Sequence, residues 1–147
     1  MGAWKRFWNL SRRDRRMILE AAVVVVASRV GLRLAGYRRW KSFVGRSSSL
    51  QASGAGSCAR DHLVRMADAA ARNLFFRATC LERSFGLWWL LRSRGFDAEI
   101  QIGGRRAGDR FEAHAWVECA SNPADDANGE EPSFAVFRDA GAARQSQ

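Results

Sequence analysis

The chain has 147 residues, 47% of them hydrophobic and 27% charged, which fits one packed domain and excludes both a large multi-domain enzyme and wholesale disorder. Its 24 Lys and Arg outweigh 15 Asp and Glu, but 13 of the basic residues and only 2 of the acidic ones fall in residues 1–60, while residues 61–147 hold 11 and 13, so a front of +11 is joined to a remainder of −2. That asymmetry disfavours a nucleic-acid coat, and three cysteines are too few, and odd in number, for a disulfide scaffold.

Residues 11–45 read as helical. Ser11 and Asp14 form an S-x-x-D start signal. Ile18, Leu19, Ala22, Val23, Val26, Val30 and Leu34 recur at helical steps and give one apolar face, opposite Arg12, Arg13, Arg16, Glu20, Arg29 and Arg33. Gly31 and Gly36 are expected to end this helix, and Tyr37 to Val44 is a second, short basic-aromatic piece. The longest apolar run, Ala21 to Ala27, is seven residues, against the roughly 20 that a membrane span needs. A basic stretch before a short apolar one also occurs in secretory signals, but Glu20 abuts this run and the helical pattern continues beyond it. A soluble cytoplasmic protein with free thiols is the expectation, with peripheral membrane contact as the alternative.

Residues 45–57, rich in Gly and Ser, read as a flexible connector. Helix resumes over 58–75 with Leu63, Met66, Ala67, Ala70 and Leu74 as its buried stripe, and again from Thr79 to Arg94, stopping at Gly95. The period then changes to two. Phe96–Ile102 and Phe111–Cys119 read as strands around a turn at Gly103–Arg110; a polar turn at Asn122–Glu131 leads to a short strand at Ser133–Phe137 and a loose tail. Helices followed by an antiparallel meander make an α+β fold. The expected organisation is a basic helical region and linker over 1–57, a core over 58–140 and a tail over 141–147.

The residues that can carry chemistry lie in the second half. Thr79-Cys80-Leu81-Glu82 has the form of a capping box, so Cys80 falls at the first helical position, beside unpaired N–H groups and the positive end of the helix dipole, where a nucleophilic thiolate is favoured. Ser84, one turn on, is small and leaves room above the sulfur. A buried structural cysteine is the competing reading. In Phe111 to Glu118, alternation puts Phe111, Ala113, Ala115 and Val117 on one face and Glu112, His114, Trp116 and Glu118 on the other. His114 is then a candidate general base, and Asp125 or Asp126 in the following turn a candidate orienter; a satisfied core histidine and a solvated turn are the alternatives.

Cys58 and His62 are four residues apart on one helix face, but two ligands alone make a weak metal signal. Glycine-rich phosphate loops and zinc-type cysteine pairs are missing from the sequence, so no cofactor is expected. Trp88, Trp89 and Trp116 read as core and cleft wall, Cys119 as a small strand-end residue, and Arg105, Arg106 and Arg110 as a solvated hairpin tip.

Ala78-Thr79-Cys80-Leu81-Glu82-Arg83-Ser84, Leu87 to Leu91, Arg94-Gly95-Phe96-Asp97-Ala98 and Phe111-Glu112-Ala113-His114-Ala115-Trp116-Val117-Glu118 together resemble the leader peptidases of lasso-peptide biosynthesis. The resemblance is strong over about residues 60–140, and the basic front is similar in character. It implies a transglutaminase-like, papain-related cysteine peptidase fold with Cys80 as nucleophile, His114 as general base and Asp126, or its neighbour Asp125, as third member. At 147 residues the chain looks like the split, protease-only form. The implied partners are the precursor peptide, a separate leader-recognition protein and an ATP-dependent lasso cyclase. A different class of function is a non-catalytic adaptor whose basic helices bind an acidic partner or an anionic membrane. A nucleic-acid module is a weaker third reading, since no recognition helix or stacking motif is evident.

Overall fold

A computed structural model of the chain describes residues 7–47, 57–119, 122–123 and 135–137. Among the described residues three long helices precede a small antiparallel sheet, the α+β order that the change of period predicts.

The first helix, α1, covers Arg12–Ser47. It starts where the S-x-x-D signal places it: the Ser11 hydroxyl accepts from the Asp14 N–H at 3.0 Å and donates to the Asp14 carboxylate at 2.8 Å. Gly31 does not end the helix. The indole of Trp40 occupies the space where a Cβ of residue 31 would stand. The break comes at Gly36, whose φ of 76° and ψ of 169° leave the helical region, a conformation open to glycine and strained for a residue with a Cβ. The basic-aromatic piece beginning at Tyr37 is the limb beyond this kink.

Only part of the apolar face predicted for α1 meets the core, through Ile18 and Ala22. Leu19, Val23, Val30 and Leu34 are exposed, whereas Ala21, Val25 and Ser28 are buried. The reason is close approach. A Cβ on Gly86 of the third helix would stand 2.6 Å from Val25 Cγ2, so the two backbones meet through small residues and the larger ones turn outward.

The second helix, α2, runs Ser57–Arg72, starting one residue and ending three residues earlier than expected, with Leu63, Ala67 and Ala70 buried as predicted. Met66 and Leu74 are half-buried. The third, α3, runs Cys80–Ser93 and is the centre of the molecule, with Phe85, Leu87, Trp88, Leu90 and Leu91 all in the core. It ends in a Schellman motif: the Gly95 N–H donates to Arg92 O, the Phe96 N–H donates to Leu91 O, and Gly95 has a φ of 81°. The Trp88 indole N–H donates to Ala98 O at 2.8 Å and fixes α3 to the start of the sheet.

The sheet has the order β3-β2-β1-β4, with β1 at Ala98–Ala107, β2 at Arg110–Cys119, β3 at Asn122–Pro123 and β4 at Ala135–Val136. The turn predicted at 103–110 shrinks to Gly108 and Asp109, because Ala107 pairs with Arg110 and Gly108 takes a φ of 61°. Gly103 and Gly104 lie within β1, where Trp116, Phe111 and the β4 backbone press on them: a Cβ at Gly103 would stand 2.8 Å from Ala135 O. The predicted connector is helical through Ser47. Residues 48–56, the turn beyond Pro123 and the tail lie outside the described residues.

Candidate active site

The capping box read from the sequence is present. Thr79 is extended (φ −69°, ψ 161°); its Oγ1 accepts from the Glu82 N–H at 3.2 Å, and Glu82 Oε2 accepts from the Thr79 N–H at 3.0 Å. Cys80 is therefore the first residue of α3, next to backbone N–H groups that have no partner within the helix. Its side chain is exposed, although the helix it begins is mostly buried. A buried structural role for this cysteine is ruled out by that exposure.

The start of α3 is held from two sides. Glu82 is buried and receives Arg29 Nη1 of α1 at 3.3 Å, and the Arg29 guanidinium lies 4.3 Å from the centre of the Phe76 ring. Asp68 of α2 accepts from Arg83 at 2.5 Å and also pairs with Arg72. No local sequence signal identifies Arg29, since its partner is 53 positions away.

Ser84 departs from its predicted role. It is fully buried, and its hydroxyl donates to Ala115 O at 2.8 Å. Among the described residues the β3 ladder reaches Glu118 and Cys119 of β2, and at Ala115 the β2 carbonyl takes this bond from α3. Ser84 stands one turn after Cys80 on the same side of the helix, and Ala115 is the neighbour of His114. One hydrogen bond thus joins the helix that begins at Cys80 to the strand that carries His114.

His114 is half-buried, opposite Gly103 in the β1–β2 register. Its ring stacks on that of Trp116, with centroids 6.2 Å apart and planes 14° from parallel, which agrees with the shared face read from the alternation. Ala115 and Val117 are buried as expected, whereas Phe111 is exposed, because β2 extends past the core at its hairpin end. Asp125 and Asp126 lie outside the described residues. β3 is antiparallel to β2, so the chain direction at Pro123 is toward the His114 end of β2.

Most of the remaining marked residues are packed or paired within the fold. His62 Nε2 lies 2.8 Å from Asp14 Oδ1, which ties α2 to the start of α1. The Ser11 hydroxyl and His62 hold the Asp14 carboxyl below the usual carboxylate range. Among the described residues no group of three or more His, Cys, Asp or Glu could hold a metal ion. Cys119 is buried at the end of β2, and burial pushes its thiol up. Trp88 and Trp116 are buried, Trp89 packs edge-on against Trp40, and Arg105 pairs with Glu112 at 2.8 Å on the exposed hairpin. No helix among the described residues is long and apolar enough to cross a membrane.

Residues 21–139 match the family model described as the transglutaminase-like superfamily. No curated protein and no solved structure matches. The match takes in the kinked first helix from Ala21 onward as well as Cys80 and His114.

Proposed function

From the premise that the chain belongs to the transglutaminase-like superfamily, a fold that fits a cysteine peptidase generally, we propose that it removes the leader from a ribosomally made lasso-peptide precursor. The observation that carries this reading is an exposed cysteine at the first position of a buried helix, with that helix hydrogen-bonded to the strand position beside a half-buried histidine. The finer assignment to lasso leaders rests on the resemblance of the Cys80 and His114 segments.

In this mechanism the Cys80 sulfur attacks the carbonyl at the leader–core junction, and His114 takes the thiol proton. The backbone N–H of Cys80 faces the developing oxyanion, where a preorganised donor lowers the barrier most. The C–N bond then breaks, His114 returns its proton to the leaving core amine, and the leader is held as a thioester on Cys80. Water, deprotonated by His114, hydrolyses that thioester. Asp126 is the proposed orienter of the imidazole, with Asp125 as its neighbour. A separate leader-recognition protein delivers the precursor, and an ATP-dependent cyclase consumes the freed amine. A small pocket beside Cys80 would accept the threonine common at the penultimate leader position.

The test is incubation of the protein with a lasso precursor, with and without a leader-binding protein, followed by weighing of the products. The expected result is two fragments that sum to the precursor plus water, and no fragments from Cys80→Ala despite an unchanged circular dichroism spectrum. Cleavage retained by Cys80→Ala would overturn the mechanism.

A further inference from the structure

The outer face of α1 carries a feature that neither the core nor the proposed peptidase chemistry uses. Leu19, Val23, Val30 and Leu34 follow at steps of four, seven and four residues, which keeps them on one side of the helix. All four are exposed, at 57%, 67%, 49% and 83%. Arg12, Arg16 and Arg33, also exposed, border this line. The two carboxylates of α1 are already paired, Asp14 with Ser11 and His62 and Glu20 with Arg94 and with Arg16 of this border. Ahead of the helix, Trp8 is 57% exposed, with the Arg15 guanidinium 5.3 Å from its ring centre.

We infer that this face rests on an anionic lipid surface, with α1 lying along the membrane plane. From Leu19 to Leu34 the apolar line extends roughly 22 Å at 1.5 Å per residue. Arginine stems border an interfacial helix favourably, because they cover apolar surface while their heads reach lipid phosphates. A second copy of the chain is a poor occupant, since two such faces would bring arginine against arginine. A partner helix seated on the line would leave Trp8 in water beyond the helix start, whereas an indole suits the boundary between headgroups and acyl chains. The +11 balance of residues 1–60 adds long-range attraction to an anionic leaflet. This inference does not depend on the peptidase reading.

The experiment is flotation of the full chain with vesicles of phosphatidylcholine and phosphatidylglycerol in equal parts, against vesicles of phosphatidylcholine alone, at about 0.15 M salt. The protein is expected to float with the anionic vesicles only. The double variant Val23→Asp/Leu34→Asp, altered at two exposed positions and checked by circular dichroism, is expected to lose at least about tenfold in partitioning, as two charges replace methyl groups that would enter the lipid. Failure of the wild type to bind anionic vesicles, or equal binding by the double variant, overturns the inference. So does a dimer in sedimentation that the double variant dissociates, which would assign the face to a second copy.

Discussion

The Ser84 hydroxyl donates to the Ala115 carbonyl at 2.8 Å in the buried interface between α3 and β2. Removing the donor leaves a buried carbonyl without it, which costs about 1–3 kcal/mol. Ser84→Ala is therefore expected to lower the melting temperature by roughly 3–8 °C for a domain of this size. If the bond positions the His114 strand against the Cys80 helix, the same variant also loses kcat on a cleaved precursor at temperatures where it remains folded. Ser84→Thr, which keeps the hydroxyl, should recover more of kcat than of stability, because its added methyl meets a packed core. Thermal denaturation and single-turnover cleavage together check both halves.

Gly31→Ala is expected to destabilise the protein, against its usual direction. In an open helix the change gains about 1 kcal/mol, but here the new methyl meets the indole of Trp40, and overpacking of this kind costs about 1–3 kcal/mol. The clash lies with one side chain, so Gly31→Ala in a Trp40→Leu background should be neutral or stabilising. A double-mutant cycle by denaturant unfolding reads the coupling directly. Additive effects would mean that α1 does not fold back through its kink in this way.

The Glu20 carboxyl gives the sign of an acid response. Partial burial works to raise it, but hydrogen bonds and charge from Arg16 and Arg94 outweigh burial and hold it below the ordinary glutamate value of 4.5. A carboxylate lowered in the folded state contributes stability that is fully present above that ordinary value. The contribution is lost as pH falls through the folded-state value. The melting temperature is thus expected to decline below about pH 4.5, and less steeply in Glu20→Gln, because that side chain does not titrate. Asp14, lowered by the Ser11 hydroxyl and His62, adds to the same limb, and a profile identical in wild type and Glu20→Gln would contradict the assignment.

The parts legible in the sequence were those governed by local rules. Thr79 and Glu82 announce the start of α3 because a capping box is written in four consecutive residues, and Gly95 announces its end for a similar reason. The α+β order followed from the change of period. The face of α1 was only half legible: periodicity finds an apolar stripe but does not say which side a neighbour takes, and while Ile18 and Ala22 meet the core, Gly86 and Ala21 allow so close an approach that Leu19, Val23, Val30 and Leu34 face outward. Gly103 and Gly104 read as a turn because the backbones and rings that press on them come from β2 and β4. Arg29 and the hydrogen bond of Ser84 were invisible because their partners are 53 and 31 positions away. At the site, the sequence placed Cys80 and His114 on the correct elements, while Asp126 falls outside the described residues.

The three cysteines supply an internal comparison for the catalytic proposal. All are free thiols; Cys58 and Cys80 are both exposed and Cys119 is buried. Burial, with Asp97 adding to it and Arg60 opposing, pushes the Cys119 thiol up, so Cys119 should resist iodoacetamide at neutral pH until the protein unfolds. Exposure alone does not separate the other two. Cys58 sits near the start of α2, which has no acidic residue in its first turn, and shares some helix-terminal field with Cys80. Among the described residues only Cys80 is at the first position under a complete capping box, on an element joined to the His114 strand, and in the proposed mechanism both the helix-terminal field and the His114 base act on its sulfur. Alkylation followed over time by peptide mass mapping is therefore expected to mark Cys80 at least about tenfold faster than Cys58, a ratio that a nearby base can supply. His114→Ala should bring the Cys80 rate down toward that of Cys58 and leave Cys58 unchanged. Equal rates in the wild type would remove the nucleophile from the peptidase reading and favour an adaptor built on the same fold, whereas a fast Cys80 that ignores His114→Ala would keep the nucleophile and reject the base.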